Sequence, residues 1–316
     1  MYAPMTPAAI EPISLRLDDA RPADFAERLG ASFARHGFAV VADHGLDAAR
    51  IAAANADVKG FFALPEAVKR RYLVAGGKGQ RGYTAFGVEV AKGAAHSDLK
   101  EFWHVGRELP ADHPLRAYMP ENVWPDEPPG FRDNALWLFG ALETLGERFL
   151  RAIARGLGLA PDYFEPAVKD GNSVLRLLHY PPAAFDGPHI RAGAHEDINS
   201  ITLLLGAEEA GLEVLDRDGG WLAINPPPGA VVVNIGDMLA RLTNDVLPST
   251  THRVVNPAPE RRGVARYSTP FFLHFRPDFL IETLPTCVTP ERPNRYPEPT
   301  TAQAYLDQRL GEIGLA

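Results

Sequence analysis

"RAGAHEDINSITLLLG", residues 191–206, places a histidine and an aspartate one residue apart at the mouth of an alternating, β-branched run. From Ser200 that run reads as a buried strand, and it is one of a series. Beyond Ser173 the chain continues as "SVLRLLHY", "GLEVLD", "WLAINP", "AVVVNIGDML", "HRVVN" and "ARYSTPFFLHF", separated by "PP", "RDGG" and "PPPG" turns. Many short strands with almost no helix between them indicate an antiparallel sandwich or barrel, the jelly roll among them.

Working outward, the N-terminal part is of a different kind. Ile13, Leu15 and Leu17 alternate as a short strand would. In "RPADFAERLGASFARHG", Phe25, Leu29 and Phe33 recur every four residues, one face of a helix that Gly37 stops. "FAVVADHG" predicts a buried strand, and Ile51, Val58, Phe61 and Phe62 mark a second helix. The glycine-rich stretch from Gly76 to Gly87 contains Tyr83 and Phe86, aromatics that a plain solvent loop does not need, so it is expected to face a cavity. Leu138, Leu142, Leu145, Phe149 and Ile153 predict a long amphipathic helix from Phe131 to Leu157, and "TAQAYLDQRLGEIG" predicts one more near the end.

Composition narrows the function classes. The 316 residues are 46% hydrophobic and 23% charged, enough for a large core, with a formal charge of −8 and no long basic run. Nucleic acid is therefore not the expected partner, and a small-molecule substrate is. A single cysteine, Cys287, fits a reducing compartment, so the expected location is cytoplasmic. No apolar stretch approaches the roughly 20 residues that span a bilayer, and no membrane association is expected.

If residues i and i+2 of a strand share a face, His195 and Asp197 project together. His252, opening "HRVVN" several hairpins later, is a position that a jelly roll brings beside them. Two imidazoles and a carboxylate on one side of a divalent ion form the facial triad that favours non-haem Fe(II) and leaves coordination positions open. Arg266 and Ser268 in "RYS" repeat the i, i+2 relation, and a guanidinium fork beside a hydroxyl suits bidentate capture of a carboxylate. Arg261 and Arg262 are rivals for that role. A small dicarboxylate with a 2-oxo group would bridge clamp and metal. Asn234–Asp237 ("NIGD") and Trp221 read as scaffold, a turn and a core indole.

These motifs, together with "RLLHYPP", "HGFAVVADHGL", "FFALPEAVKRRY", "RGYTAFG" and "DLKEFWHVGR", resemble in order the 2-oxoglutarate- and Fe(II)-dependent dioxygenases of the isopenicillin N synthase-like group, bacterial members included, over almost the whole chain. The resemblance implies a mainly β fold with flanking helices: a double-stranded β-helix, a distorted cupin-like jelly roll wrapped by N-terminal helices. It implies four stretches: 1–120, an α/β region packed on the core; 121–170, a scaffold helix; 171–280, the jelly-roll core; and 281–316, a C-terminal extension with a helix. It implies Fe(II) on His195, Asp197 and His252, and 2-oxoglutarate on Arg266, Ser268 and Tyr180, with O2 as oxidant. Tyr83, Phe86, Arg191, Phe272 and His274 are candidates for the prime-substrate pocket. The implied activity is hydroxylation or desaturation of a small metabolite, giving succinate and CO2. Alternatives are oxidation of a 2-oxo acid itself, of the 2-oxobutyrate-oxidising or ethylene-forming type, an oxidase that uses no 2-oxo acid, and a jelly roll that binds metal or ligand without catalysis.

Overall fold

The computed structural model describes residues 10–75, 79–89, 97–182, 190–205 and 210–312; the first three residues of the glycine-rich stretch, 76–78, lie outside these. Its helices are α1 (Arg16–Ala20), α2 (Pro22–His36), α3 (Ala48–Phe62), α4 (Glu66–Lys69), α5 (Phe131–Gly156), α6 (Glu165–Val168), α7 (Asp237–Leu242) and α8 (Ala302–Glu312). The strands are β1 (Pro12–Ser14), β2 (Phe38–Ala42), β3 (Gly82–Thr84), β4 (Glu101–Gly106), β5 (Val174–Tyr180), β6 (Ala192–His195), β7 (Ile201–Leu205), β8 (Leu212–Leu215), β9 (Trp221–Ala223), β10 (Val231–Ile235), β11 (His252–Val254), β12 (Arg266–Leu273), β13 (Leu280–Ile281) and β14 (Thr300–Thr301).

The strands assemble into an eight-stranded sheet in the order β1-β2-β10-β7-β12-β5-β4-β3, a four-stranded sheet β6-β11-β8-β9 and a small β13-β14 pair. Apart from the parallel β1–β2 pair, every ladder in these sheets is antiparallel. Residues before 121 therefore supply four of the eight strands of the large sheet, two on each flank.

Side-chain alternation divides this sheet cleanly. Val231, Val233 and Ile235 of β10, Ile201 and Leu203 of β7, and Phe271 and Leu273 of β12 join the buried stripe of α5 and the inner faces of α2 and α3 in the main core. Val232 of β10 and Phe38 and Val40 of β2 point the other way, where they meet Leu212, Val214 and Leu222 of the small sheet. The interior of the jelly roll is this second layer. Gly146 lets α5 lie close, since a Cβ there would stand 3.0 Å from Leu273 Cδ2.

The predicted helices α2 and α5 form as expected. Helix α2 starts on Pro22 and buries Phe25, Leu29 and Phe33; it stops at Gly37, whose φ of 69° is left-handed. Three local expectations change. The strand at Ile13 ends at Ser14, and Leu17 belongs to α1. "AVVVNIGDML" is a strand only to Ile235, after which Gly236 caps α7. Trp221 is not a core indole: β9 is the edge strand of the small sheet, and the half-buried ring carries the Arg253 guanidinium 3.8 Å above it.

Candidate metal centre

Strands β6 and β11 run antiparallel with His195 directly opposite His252. Strand β6 ends at His195, so the i, i+2 strand argument for Asp197 does not hold. Asp197 instead lies in the turn that leads to β7, and that turn brings it back to the pair. Its Oδ1 stands 3.8 Å from His195 Nε2 and 3.7 Å from His252 Nε2. The three residues form a group whose ligand atoms all lie within 4.8 Å of one another.

The hydrogen bonds fix which atoms face the common point. His195 Nδ1 is 2.7 Å from Gly193 O and His252 Nδ1 is 3.1 Å from Thr250 O. A carbonyl oxygen only accepts, so each Nδ1 carries the proton and donates it, leaving the Nε2 lone pair for a metal. In both cases the partner is the carbonyl two residues earlier, a consequence of local backbone rather than of a distant side chain. Burial, with the neighbouring His252 adding to it, pushes the His195 pKa down to about 4, which favours the neutral imidazole.

Asp197 is held just as firmly. Its Oδ2 accepts from Thr202 Oγ1 at 2.6 Å and Asn234 Nδ2 at 2.9 Å, and Asn199 Nδ2 donates to the same Thr202 oxygen at 2.8 Å. Burial disfavours its charge, but the two imidazoles and the two hydrogen bonds outweigh burial and lower its pKa. The occupied Oδ2 leaves Oδ1 as the ligand atom. Asn234, read from sequence as scaffold, therefore orients the carboxylate. We predict that Asn234→Ala weakens metal binding by roughly 10–100-fold with the fold intact, as measured by Fe(II) or Co(II) titration.

Main-chain bonds lock the turn to α7: Gly236 N to Ser200 O at 2.9 Å, Asp237 N to Asp197 O at 2.8 Å and Met238 N to Asn199 O at 3.0 Å. A Cβ on Gly236 would press into both Asn199 oxygens, well inside contact distance. Gly236→Ala is expected to destabilise the protein by about 1–3 kcal/mol, read as a lower urea midpoint.

On β12, Arg266 and Ser268 are both buried and lie opposite Tyr180 and Leu178 of β5. The Arg266 guanidinium stands 5.1 Å from the centroid of the buried Tyr180 ring. Arg261 is exposed at the end of a 3-10 turn, whereas Arg266 is buried on β12. His179, next to Tyr180, faces the opposite side of the sheet, where its Nδ1 meets Glu101 Oε1 at 2.7 Å.

A cavity of about 500 Å³ adjoins His195 and Asp197. Phe272 of β12 and His274, just beyond its end, line it. Three other candidates lie elsewhere. Tyr83 is on the helix side of the sheet, in contact with Phe61, its hydroxyl bonded to Glu101; pairing of β3 with β4 places it opposite Trp103 in the core. Phe86 is in the turn after β3 and is 38% exposed. Arg191 is buried with its guanidinium 5.9 Å from the Tyr180 ring, and donates to Val264 O at 3.4 Å.

Sequence reasoning missed the charged wall of this cavity: Glu89, Asp98, Lys100 and Arg176, with Arg309 from α8. A signal was present. Asp98, Lys100, Phe102 and His104 alternate into β4, and Arg176 is the one charge in an apolar β5. Asp98 also braces the metal strand, its Oδ1 accepting from Gly193 N at 3.0 Å.

Comparisons with known proteins identify the family. Residues 10–127 match the family described as the N-terminal region of the non-haem dioxygenase in morphine synthesis, and residues 171–275 match the 2OG-Fe(II) oxygenase superfamily. The chain is 33% identical over 291 residues to a 2-oxoglutarate-Fe(II) type oxidoreductase of Emericella nidulans, covering 89% of this chain and 82% of that one. Among solved structures, a 2OG-Fe(II) oxygenase family protein from Caulobacter crescentus superposes with a TM-score of 0.91 at 62% identity, covering 97% of this chain and 99% of that one. A full-length Neurospora crassa protein, solved in complex with alpha-KG (2-oxoglutarate) and thymine, gives 0.84 at 31% identity, with 96% of each chain covered.

Proposed function

The chain belongs to the 2OG-Fe(II) oxygenase superfamily, and on that premise we propose that His195, Asp197 and His252 hold the iron while Arg266, Ser268 and Tyr180 receive 2-oxoglutarate. The protein is an Fe(II)- and 2-oxoglutarate-dependent oxygenase of small molecules. The observation that carries the site assignment is the convergence of two Nε2 lone pairs and one carboxylate oxygen on a single point. That donor set fits Fe(II), with coordination positions left for reacting ligands.

When bound, Fe(II) supplies the oxidative decarboxylation of 2-oxoglutarate by O2 to succinate and CO2, and with it the oxidising power for a substrate C–H bond. The chain's own residues hold the parts. Asp197 offsets cationic charge through Oδ1 while Thr202 and Asn234 keep its other oxygen turned away. The Gly193 and Thr250 carbonyls hold both imidazoles in the ligating tautomer. Arg266, with Ser268 beside it on the same face of β12, gives the far carboxylate of 2-oxoglutarate a charged fork and a hydroxyl. The ring of Tyr180 lies beneath the guanidinium.

The 500 Å³ cavity is large enough for a second molecule, which favours oxidation of a separate substrate over turnover of the 2-oxo acid alone. The thymine bound in the Neurospora relative supports a compact organic substrate. Of the residues nominated for substrate contact, Phe272 and His274 keep that role. Residues 171–280 carry the metal and cosubstrate groups, residues 1–120 pack on them and supply part of the cavity wall, the helix within 121–170 buttresses the sheet, and 281–316 closes one side of the cavity through α8. The charge of −8 and lone Cys287 support a cytoplasmic protein without a nucleic-acid partner; among the described residues no helix is long and apolar enough to cross a membrane.

The test is succinate release and O2 uptake by protein loaded anaerobically with Fe(II) and then given 2-oxoglutarate and air. Slow iron-dependent succinate formation without any added substrate is the expected result. No succinate, and no binding of 2-oxoglutarate to the iron-loaded protein, would remove the assignment.

A further inference from the structure

The cations along the cavity wall are already paired with carboxylates, and Glu196, which accepts from Thr251 Oγ1 at 3.0 Å, adds a further negative charge. Lys100 Nζ sits between Glu89 at 2.7 Å and Asp98 at 2.8 Å, and Arg309 between Asp237 at 2.9 Å and Glu312 at 2.8 Å. Burial works against charge on Glu89, but Arg176 and Lys100 overrule it and hold its carboxyl well below the usual range. A charged ligand placed against this wall would lose its hydration without gaining a counter-charge, which is costly.

Hydrogen-bonding capacity, by contrast, is left over. Arg176 is fixed by its Nε, which donates to His104 Nε2 at 2.5 Å, while His104 Nδ1 donates to Gly79 O at 2.5 Å. Its guanidinium lies over Phe102 at 4.4 Å and near Phe272 at 5.3 Å. The two terminal nitrogens then stand 3.4 Å from the two Glu89 oxygens, longer than the roughly 2.7–2.9 Å of a closed charged pair. Lys100 holds Glu89 Oε2 at 2.7 Å, so the fork meets the carboxylate only as a long bidentate pair, which leaves each terminal nitrogen of Arg176 a second N–H for a ligand.

His274 adds a second polar contact. It is 9% exposed, lines the same cavity, and its ring nitrogens have no partner among the described residues. Burial pushes its pKa down to about 4, leaving a neutral ring with one donor and one acceptor.

Resting on the iron and 2-oxoglutarate reading above, we propose that the prime substrate is a small uncharged molecule bearing an amide-type group. Its carbonyl accepts from Arg176 and its neighbouring N–H donates to Glu89. Phe272 lies against its plane, and His274 binds a further polar atom. A lactam or a carboxamide presents this donor–acceptor edge; a carboxylate presents only acceptors and meets the Glu89 charge.

The test uses the anaerobic Fe(II)–2-oxoglutarate protein and shape-matched probes: benzamide with benzoate, nicotinamide with nicotinate, and cyclopentanecarboxamide with cyclopentanecarboxylate. Binding is read by calorimetry and by perturbation of the visible iron–2-oxoglutarate absorption. The carboxamide of each pair is expected to bind at least about tenfold more tightly, the scale of one to two hydrogen bonds. Glu89→Gln removes the repelling charge and leaves Arg176 and Lys100 in excess, so the preference should fall by about tenfold or reverse, a change that simple misfolding does not produce. Equal affinities within pairs, a preference for carboxylates, or no binding by any carboxamide would overturn the proposal while the 2-oxoglutarate absorption forms normally. Failure of that absorption in the parent protein would instead overturn the reading on which it rests.

Discussion

Asp197→Ala protein is expected to bind Fe(II) at least about 10³-fold more weakly than the parent, roughly 4 kcal/mol, and to release no iron-dependent succinate. The reasoning is electrostatic. Asp197 supplies the one carboxylate of the triad, in a buried site where a charge interaction is little screened. Removing it leaves two neutral donors facing a divalent cation and frees the Thr202 hydroxyl and the Asn234 amide from their acceptor. The apoprotein loses two hydrogen bonds, roughly 1–3 kcal/mol in all, which is less than the stability of a typical domain, so it should keep its fold. Circular dichroism at parent-like intensity, with metal binding lost in calorimetry, is the expected pair of observations. Parent-like Fe(II) affinity would show that the iron is held elsewhere.

The second large effect belongs to the other end of the site. Arg266→Ala should raise the KM for 2-oxoglutarate by about 10²-fold or more, since loss of one partner of a buried, hydrogen-bonded charge pair typically costs about 3–5 kcal/mol. Arg266 is 2% exposed on a central strand, its guanidinium 5.1 Å from the Tyr180 ring, so the fork is fixed before the cosubstrate arrives. Arg261→Ala, on the exposed turn before the strand, should change KM by less than about threefold. Steady-state succinate formation at saturating Fe(II) measures both. A reversal of the two effects would move the clamp off β12.

The amount of this site that was legible in the sequence follows from what alternation can and cannot say. Phe272 and His274 follow Arg266 in the same strand-like run, which nominates them, and both line the cavity. Tyr83 reads in sequence as part of a glycine-rich stretch facing a cavity; it lies instead on β3, with its ring in the core. Pairing with β4 decides that, and it is a contact between residues far apart in the chain. Asp197 joined the histidines for a reason other than the one read from sequence: a turn, clamped by the start of α7, does what the strand was expected to do. Asn234 looked like turn scaffold because its partner, Asp197, lies 37 positions away and only the β7–β10 pairing brings the two together. Lys100, Glu89 and Arg176 were hidden for a related reason. Each is an ordinary charge in sequence, and they become a wall only when the segments before β4 and β5 converge.

One arrangement is central to the activity, and anomalous diffraction at the iron edge from an anaerobic crystal grown with Fe(II) and 2-oxoglutarate sees it directly. One iron peak is predicted within bonding distance of His195 Nε2, Asp197 Oδ1 and His252 Nε2, with the far carboxylate of 2-oxoglutarate on Arg266 and Ser268. Iron on any other set of side chains, or a 2-oxoglutarate whose far carboxylate is held by Arg191 or Arg262 instead, would contradict it.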